Sequence, residues 1–349
     1  MSIRILFLAA QLQPFLVSGI RSLLQNHDVE IVIYVQHPER IELFNMPSDK
    51  RLRIFFYNNE PESLFLNQVK SFRPQLVFCA GWMYPRYLFW CRFLNNSGAK
   101  TICAMDTQWK GNVMQRILTS IAPFTLLRCF KCAWVPGKRQ LDYAQKLGFQ
   151  EENILHNLYA PDTDLFRKAY LSFQQKGFQS FPKRFIYVGR LEKHKVLNLL
   201  IAFTGIERSK LQGWELHLYG DGSLSSSDLM RSPFVHCHKA VPQRELADMA
   251  SEGGVFCLCS SDEPWGTVVQ EFAAAGMPLV VSNQCGSSVH FLKGNGVLCN
   301  GADVGSIKNA LLHIISSEDS RLFEMSENSH KLASMPNSDD WANELMSLV

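Results

Sequence analysis

Short runs that are apolar at nearly every position recur along this chain, and they limit its fold more than any other feature. In the first half they are Ile3 to Ala9, Val29 to Tyr34, Leu76 to Ala80 and Lys100 to Met105. In the second half they are Phe185 to Gly189, Trp214 to Gly220, Val235 to His238, Gly254 to Cys259, Leu279 to Ser282 and Gly296 to Cys299. Strands without a polar alternation are buried on both faces, as in parallel sheets covered by helices. Helical patterns alternate with them over Val17 to Gln25, Pro61 to Ser71, Tyr87 to Leu94, Leu197 to Phe203, Arg244 to Glu252, Thr267 to Ala275 and Val304 to Ser317. This order predicts an α/β chain with two doubly wound, Rossmann-like domains. A length of 349 residues accommodates both. The stretch Asn153 to Phe166 reads as the junction, which sets domains at 1–165 and 166–325 and a tail at 326–349. A closing helix over Asp339 to Met346 is expected to return toward the first domain. Open parallel sheets take ligands in the crevice beyond the carboxyl ends of their strands.

Charge narrows the choice of ligand. Basic and acidic residues number 35 and 32, for a net charge of +3, too balanced for a nucleic-acid binder. The ten cysteines are scattered among apolar residues, which points to packing and a reducing cytoplasm rather than a disulfide framework. Cys129-Phe-Lys-Cys132 has metal-like spacing but no second pair, and is read as packing. The first apolar run is broken by Gln11, Gln13 and Pro14 and reads as a strand rather than a leader. No run reaches the ~18–20 apolar residues that span a bilayer.

The chemistry concentrates in the second half. Gly189-Arg190 follows a strand, with Lys195 five residues on, and a forked and a flexible cation together suit a diphosphate. Gly220-Asp221-Gly222 follows the next strand and permits a tight turn. The run from Ser261 to Pro278 then places Glu263 in a Pro/Gly loop and Glu271 on the early turns of a helix. Gly266 and Thr267 open that helix, whose leading N–H groups suit an anion. An ionised Glu263 can accept hydrogen bonds from neighbouring hydroxyls, and Glu271 can do the same.

Taken in order, Phe185 to Lys195, Leu216 to Gly222, Ser260 to Gly266, Glu271, Gly276-Met-Pro278 and Asn295 to Leu298 resemble the retaining family 4 glycosyltransferases. The resemblance covers the whole second domain and is weaker through the first. It implies the GT-B fold, with two Rossmann-like domains facing a cleft, and a nucleotide-diphosphate-sugar as co-substrate. It gives Arg190 and Lys195 the diphosphate, Glu263 the sugar hydroxyls and Glu271 the ribose. The backbone of Trp265, Gly266, Thr267 and Val268 would meet sugar and phosphates, beside the turns at Gly189, Gly220 and Asp221. The base would lie near Val235 to Val241, which includes His238. His236 and His238 share one face of a strand, and a core or base-stacking role is favoured over zinc. No metal and no resident cofactor are expected. Asp162-Thr-Asp164 mimics a metal motif but falls at the junction and is read as linker.

This chain departs from the family in three places. Its first strand–helix loop is Gln11-Leu-Gln-Pro-Phe15 rather than Gly-rich. Asp106 stands where the family carries a histidine and is a candidate substitute beside Gln108 and Trp109, or else a helix N-cap. Cys285-Gly-Ser-Ser-Val289 lacks the family's Gly-Gly-x-x-Glu.

Trp109 to Trp134 has no acidic residue and mixes Lys110, Arg116, Arg128 and Lys131 with apolar side chains, with Lys138 and Arg139 following. This composition over 109–139 fits an anionic membrane surface, or ordinary buried helices with a solvated basic face. The reading that follows is a retaining transferase acting on a glycan or lipid-linked acceptor in surface polysaccharide or glycolipid assembly. It would be cytoplasmic and peripheral on the inner face of the plasma membrane. A non-catalytic GT-B-like partner subunit is the alternative. A dinucleotide oxidoreductase is excluded, because Leu8 to Gly19 lacks G-x-G-x-x-G.

Overall fold

The computed structural model describes residues 2–37, 46–57, 62–225, 227–333 and 336–349. The chain divides into two compact units, one of 1–160 with 338–349 and one of 161–337. The division falls at Ala160 rather than after 165, and the returning tail begins at Ser338 rather than 326. The helix Asp319–Leu332, unexpected from the sequence, stays with the second unit.

Among the described residues the first unit holds seven parallel strands: β1 (Ile3–Ala9), β2 (Val29–Val35), β3 (Leu52–Phe56), β4 (Leu76–Cys79), β5 (Lys100–Ala104), β6 (Cys132–Trp134) and β7 (Ile154–Leu155). Their order is β3-β2-β1-β4-β5-β6-β7. The chain winds outward from β1 to β3, then crosses to β4 on the other side, so the order reverses between β1 and β4. β6 and β7 escape sequence reading because three and two residues are too few to show a period. The expected helix at Pro61 begins at Glu62 and runs to Phe72; Pro61 itself lies outside the described residues.

The closing helix Ser338–Met346 packs in this unit through Trp341, which is fully buried and stacks on Trp134 at 4.6 Å between centroids. Its indole nitrogen donates to Leu158 O at 2.9 Å. Gly19, on the helix Pro14–Asn26, has its reason here: a Cβ would lie 2.4 Å from the Trp341 ring.

Among the described residues the second unit holds six parallel strands: β8 (Arg184–Val188), β9 (Glu215–Tyr219), β10 (Val235–His238), β11 (Val255–Leu258), β12 (Leu279–Ser282) and β13 (Gly296–Cys299). Their order, β10-β9-β8-β11-β12-β13, reverses between β8 and β11. The supposed linker motif is a helix start. Asp162 accepts from Leu165 N at 3.3 Å and caps the helix Thr163–Gln175, which begins inside the stretch Asn153 to Phe166 read as the junction. Both units are thus doubly wound Rossmann-like domains, and ligand positions are expected where each strand order reverses.

Candidate functional site

The reversal between β8 and β11 brings distant residues together. Lys195 leaves β8 on a π-helical turn, Lys193–Leu197, and Glu263 lies in the loop after β11. Lys195 Nζ stands 2.9 Å from Glu263 Oε2 and donates to Asp262 O at 3.0 Å. Their side chains are only 11% and 17% exposed, so the pair is shielded on most sides. An ammonium has three donors, and these contacts use two.

Glycines let the loops close over this point. A Cβ on Gly220 would sit 1.9 Å from Gly189 O, and one on Gly222 would sit 2.6 Å from the Leu191 backbone. Gly189 N donates to Tyr219 O and Leu191 N to Asp221 O, both at 3.0 Å, which binds the two turns together. Arg190 is exposed beside them, its carbonyl held by the Tyr187 hydroxyl at 2.8 Å.

The loop Ser261 to Gly266 is fixed from the other side. Glu263 pairs with Cys285 in a parallel bridge, and Gly286 N donates to Glu263 O at 3.1 Å. The Cys285 thiol donates to Trp265 O at 2.9 Å, and Ser287 N donates to the same carbonyl at 3.0 Å. The segment that lacks the family's motif therefore clamps the glutamate loop. Trp265 is buried, and its indole nitrogen has no hydrogen-bond acceptor among the described residues. Gly266 adopts φ +84°, where a Cβ would meet Leu258 and Cys285, and it starts the helix Thr267–Ala274. The leading amides of Thr267 and Val268 form the positive end of that helix.

Glu271 lies deeper on this helix, 3% exposed, and accepts from Gln243 Nε2 at 2.6 Å. Burial pushes its carboxyl up to about 7, only partly offset by the Gln243 hydrogen bond. Gln243 carries no motif in the sequence, and only the fold brings it to Glu271.

His238 ends β10 and stacks on Tyr219 at 4.3 Å between centroids, and its carbonyl accepts from Gly220 N. Burial lowers its pKa. Val241 is half-buried in the loop that follows.

The first unit's reversal point is less charged. A cavity of about 240 Å³ opens there, lined by Gln11, Gln13, Trp82, Met83, Asp106 and Tyr159 among others. Asp106 accepts from the Tyr159 hydroxyl at 2.9 Å, and its carbonyl accepts from Gln140 Nε2 at 3.0 Å. It does not cap a helix, because the next helix, Val113–Ile121, has Asn112 as its N-cap.

That helix bears on the reading of 109–139 as buried helices. Val113, Met114, Ile117, Ile121 and Phe124 are all exposed, Met114 by 64% and Phe124 by 68%, and their spacing places them along one face. Lys110, Arg116 and Arg128 are exposed around them. The apolar face points to solvent, not into a core. Among the described residues no helix is long and apolar enough to cross a membrane. Cys129 and Cys132 are buried, and burial raises both thiols, which agrees with packing.

Residues 171–332 match the family model described as Glycosyl transferases group 1. Glycogen synthase from Mycobacterium tuberculosis is 30% identical over 143 residues, which is 38% of this chain and 34% of that protein. The match thus spans about a third of the length of the curated relative. Among solved structures, HepE from Anabaena in complex with UDP-glucose superposes with a TM-score of 0.73 at 14% identity, over 99% of this chain and 100% of that one. Sucrose-phosphate synthase from Thermosynechococcus elongatus gives 0.75 at 14% identity, over 99% and 98%. The chain has the GT-B glycosyltransferase fold, and its second unit carries a glycosyl transferases group 1 domain.

Proposed function

We propose that this chain is a retaining glycosyltransferase, moving a sugar from a nucleotide-diphosphate donor to a glycan or lipid-linked acceptor in surface polysaccharide or glycolipid assembly. The observation that carries the reading is the meeting of Lys195 and Glu263 at the second sheet's reversal point, ahead of the Thr267–Ala274 helix. A cation, a carboxylate and a helix N-terminus together suit a ligand that has phosphates at one end and hydroxyls at the other. Arg190 and Lys195 hold the diphosphate, with the Thr267 and Val268 amides. Glu263 accepts from the sugar hydroxyls. Glu271 and Gln243 lie on the ribose side, and His238 to Val241 on the base side. HepE, which shares the fold, was solved with UDP-glucose, so uridine nucleotides are the first donors to examine.

The charges support the chemistry. When the bond from the anomeric carbon to the diphosphate oxygen breaks, its electron pair leaves with the diphosphate. Fixed cations stabilise that charge, each by ~3–4 kcal/mol if comparable to an oxyanion-hole donor. The acceptor hydroxyl bonds to the same face of the carbon, and its proton passes to the leaving phosphate. Neither a protein nucleophile nor a metal is required by this route, and Glu263 and Glu271 are not a hydrolytic acid–base pair. Asp106 takes the place of the family's histidine, held by Tyr159.

Thermal-shift measurements with UDP-, GDP- and ADP-sugars test the reading, followed by NMR of the anomeric product. Stabilisation by one donor class and a retained anomeric configuration are expected. Stabilisation by none would count against a transferase, and an inverted product against retention.

The exposed face of Val113, Met114, Ile117 and Phe124, ringed by basic residues, supports a peripheral contact with the anionic inner leaflet, where a lipid-linked acceptor would lie. Flotation with anionic vesicles should recover the wild type. A variant with Met114, Ile117 and Phe124 changed to Ser should stay behind, as should one with Lys110, Arg116, Arg128 and Lys131 changed to Glu. Unchanged flotation of both variants would refute the membrane contact.

A further inference from the structure

Glycosyl transfer leaves one cluster in the second unit unused. Glu215 and His217 lie two apart on β9, and His236 on the neighbouring end strand β10 is the register partner of His217. Period-two alternation puts all three on one face of the sheet. Glu215 Oε2 is 3.2 Å from His236 Nε2 and 3.5 Å from His217 Nε2, and the ligating atoms of the three residues lie within 4.8 Å of one another. Both imidazole Nε2 atoms are buried, and neither makes a hydrogen bond among the described residues. Buried polar atoms left so, turned toward one carboxylate oxygen, need a further partner.

We propose that Glu215, His217 and His236 bind a divalent transition-metal ion of the zinc class, with the fourth position open to solvent. Ligand bonds of about 2.0–2.1 Å at tetrahedral angles place neighbouring donor atoms about 3.4 Å apart. The two carboxylate–imidazole separations bracket that figure. Two imidazoles and one carboxylate form a donor set that zinc accepts.

The surroundings orient the ligands. His217 Nδ1 lies 3.4 Å from His238 Nε2, with the two rings nearly parallel at 7°. A proton on His217 Nδ1, shared with His238, leaves the Nε2 lone pair facing the ion. His217 is 16% exposed, whereas His236 and Glu215 are 38% and 42% exposed, which gives the ion a way in from solvent. Arg184, the register partner of Glu215 on β8, places a positive charge near His217 and His238.

The ion would tie the end strand β10 to β9, and it is separate from the Lys195–Glu263 point beyond β8 and β11. Its partners come from two strands whose pairing exists only in the folded chain, so binding adds to folded stability by mass action. β10 ends at His238, so the ion also steadies the strand that leads into Lys239 to Val241.

The test uses full-length, tag-free protein stripped with chelator and dialysed. Calorimetric titration with Zn²⁺ should show one equivalent bound and a raised melting temperature. Co²⁺ should give the visible absorption of a four-coordinate site. His236→Ala and Glu215→Gln should each weaken Zn²⁺ binding by at least about 10-fold. Cys237→Ala, which removes the exposed thiol on the other face of β10, should leave it unchanged. If His236→Ala does not fold by circular dichroism, Glu215→Gln and His217→Gln carry the same test. Absence of Zn²⁺ uptake by the wild type would overturn the proposal. So would full affinity in the folded Glu215 and histidine variants, or loss of binding with Cys237→Ala alone.

Discussion

Two sheets of the same kind, each reversing its strand order once, do different things at the reversal. In the second unit the loops there carry Arg190, Lys195 and Glu263 and are pressed together by Gly189, Gly220 and Gly222. In the first unit the loops carry Gln11, Gln13, Trp82 and Met83 around a cavity, with Asp106 held by Tyr159. A diphosphate presents the same charge whatever sugar it bears, so a domain that holds one needs cations and tight turns. On the proposed reading the second unit holds the diphosphate and the first meets the acceptor, which asks only for a shape suited to that acceptor. The contrast teaches why one half of the chain has motifs and the other does not.

Closeness of the turns should separate the two units most sharply. Gly220→Ala puts a Cβ 1.9 Å from a backbone oxygen and should cost about 4 kcal/mol or prevent folding. Gly81→Ala, at the first unit's reversal, meets its nearest neighbour at 3.6 Å and pays only for its φ of +79°, about 1–2 kcal/mol. Urea denaturation of the two variants compares them; equal costs would remove the distinction.

Charge comes next. Lys195→Ala and Glu263→Gln should each lower kcat/KM by about 10²–10³-fold with the fold intact. Asp106→Asn, which keeps a hydrogen bond to Tyr159, should change donor affinity by less than about 2-fold on the reading that the donor belongs to the second unit. Near-normal turnover in either of the first two variants would show that the reversal point is not the donor site.

A smaller effect concerns Glu271. Its folded pKa of about 7 exceeds the ordinary 4.5, so the folded state holds a proton that the unfolded chain releases between those values. Stability should therefore fall as pH rises from about 4.5 to about 7 and level off above, a loss of up to about 3 kcal/mol from this group. Glu271→Gln should flatten that slope in urea melts at pH 5 and pH 8. An unchanged slope would mean that the carboxyl is not the group responsible.

The sequence disclosed the alternation of strands and helices because fully apolar runs are unmistakable, and it disclosed the charged loops because they follow those runs. It concealed what depends on register and on contacts far apart in the chain. Gln243 reaches Glu271 only after β10 and the helix Gln243–Ala250 are in place. Glu215, His217 and His236 become neighbours only when β9 and β10 pair with Leu216 opposite Val235, although the alternation of Glu215, His217 and Tyr219 was a usable hint. Nothing in the sequence around Gly19 shows that it is the seat of a tryptophan more than 300 residues away. The strands β6 and β7 were too short to leave a pattern.

One titration tests the central claim most directly: UDP-glucose into the wild type and into Lys195→Ala, followed by calorimetry. The account predicts saturable binding at one site in the wild type, weakened at least about 10-fold in the variant. If UDP-glucose fails to bind, the same pair titrated with the donor that gave the thermal shift decides the matter. Equal affinity of wild type and variant for that donor would contradict the account.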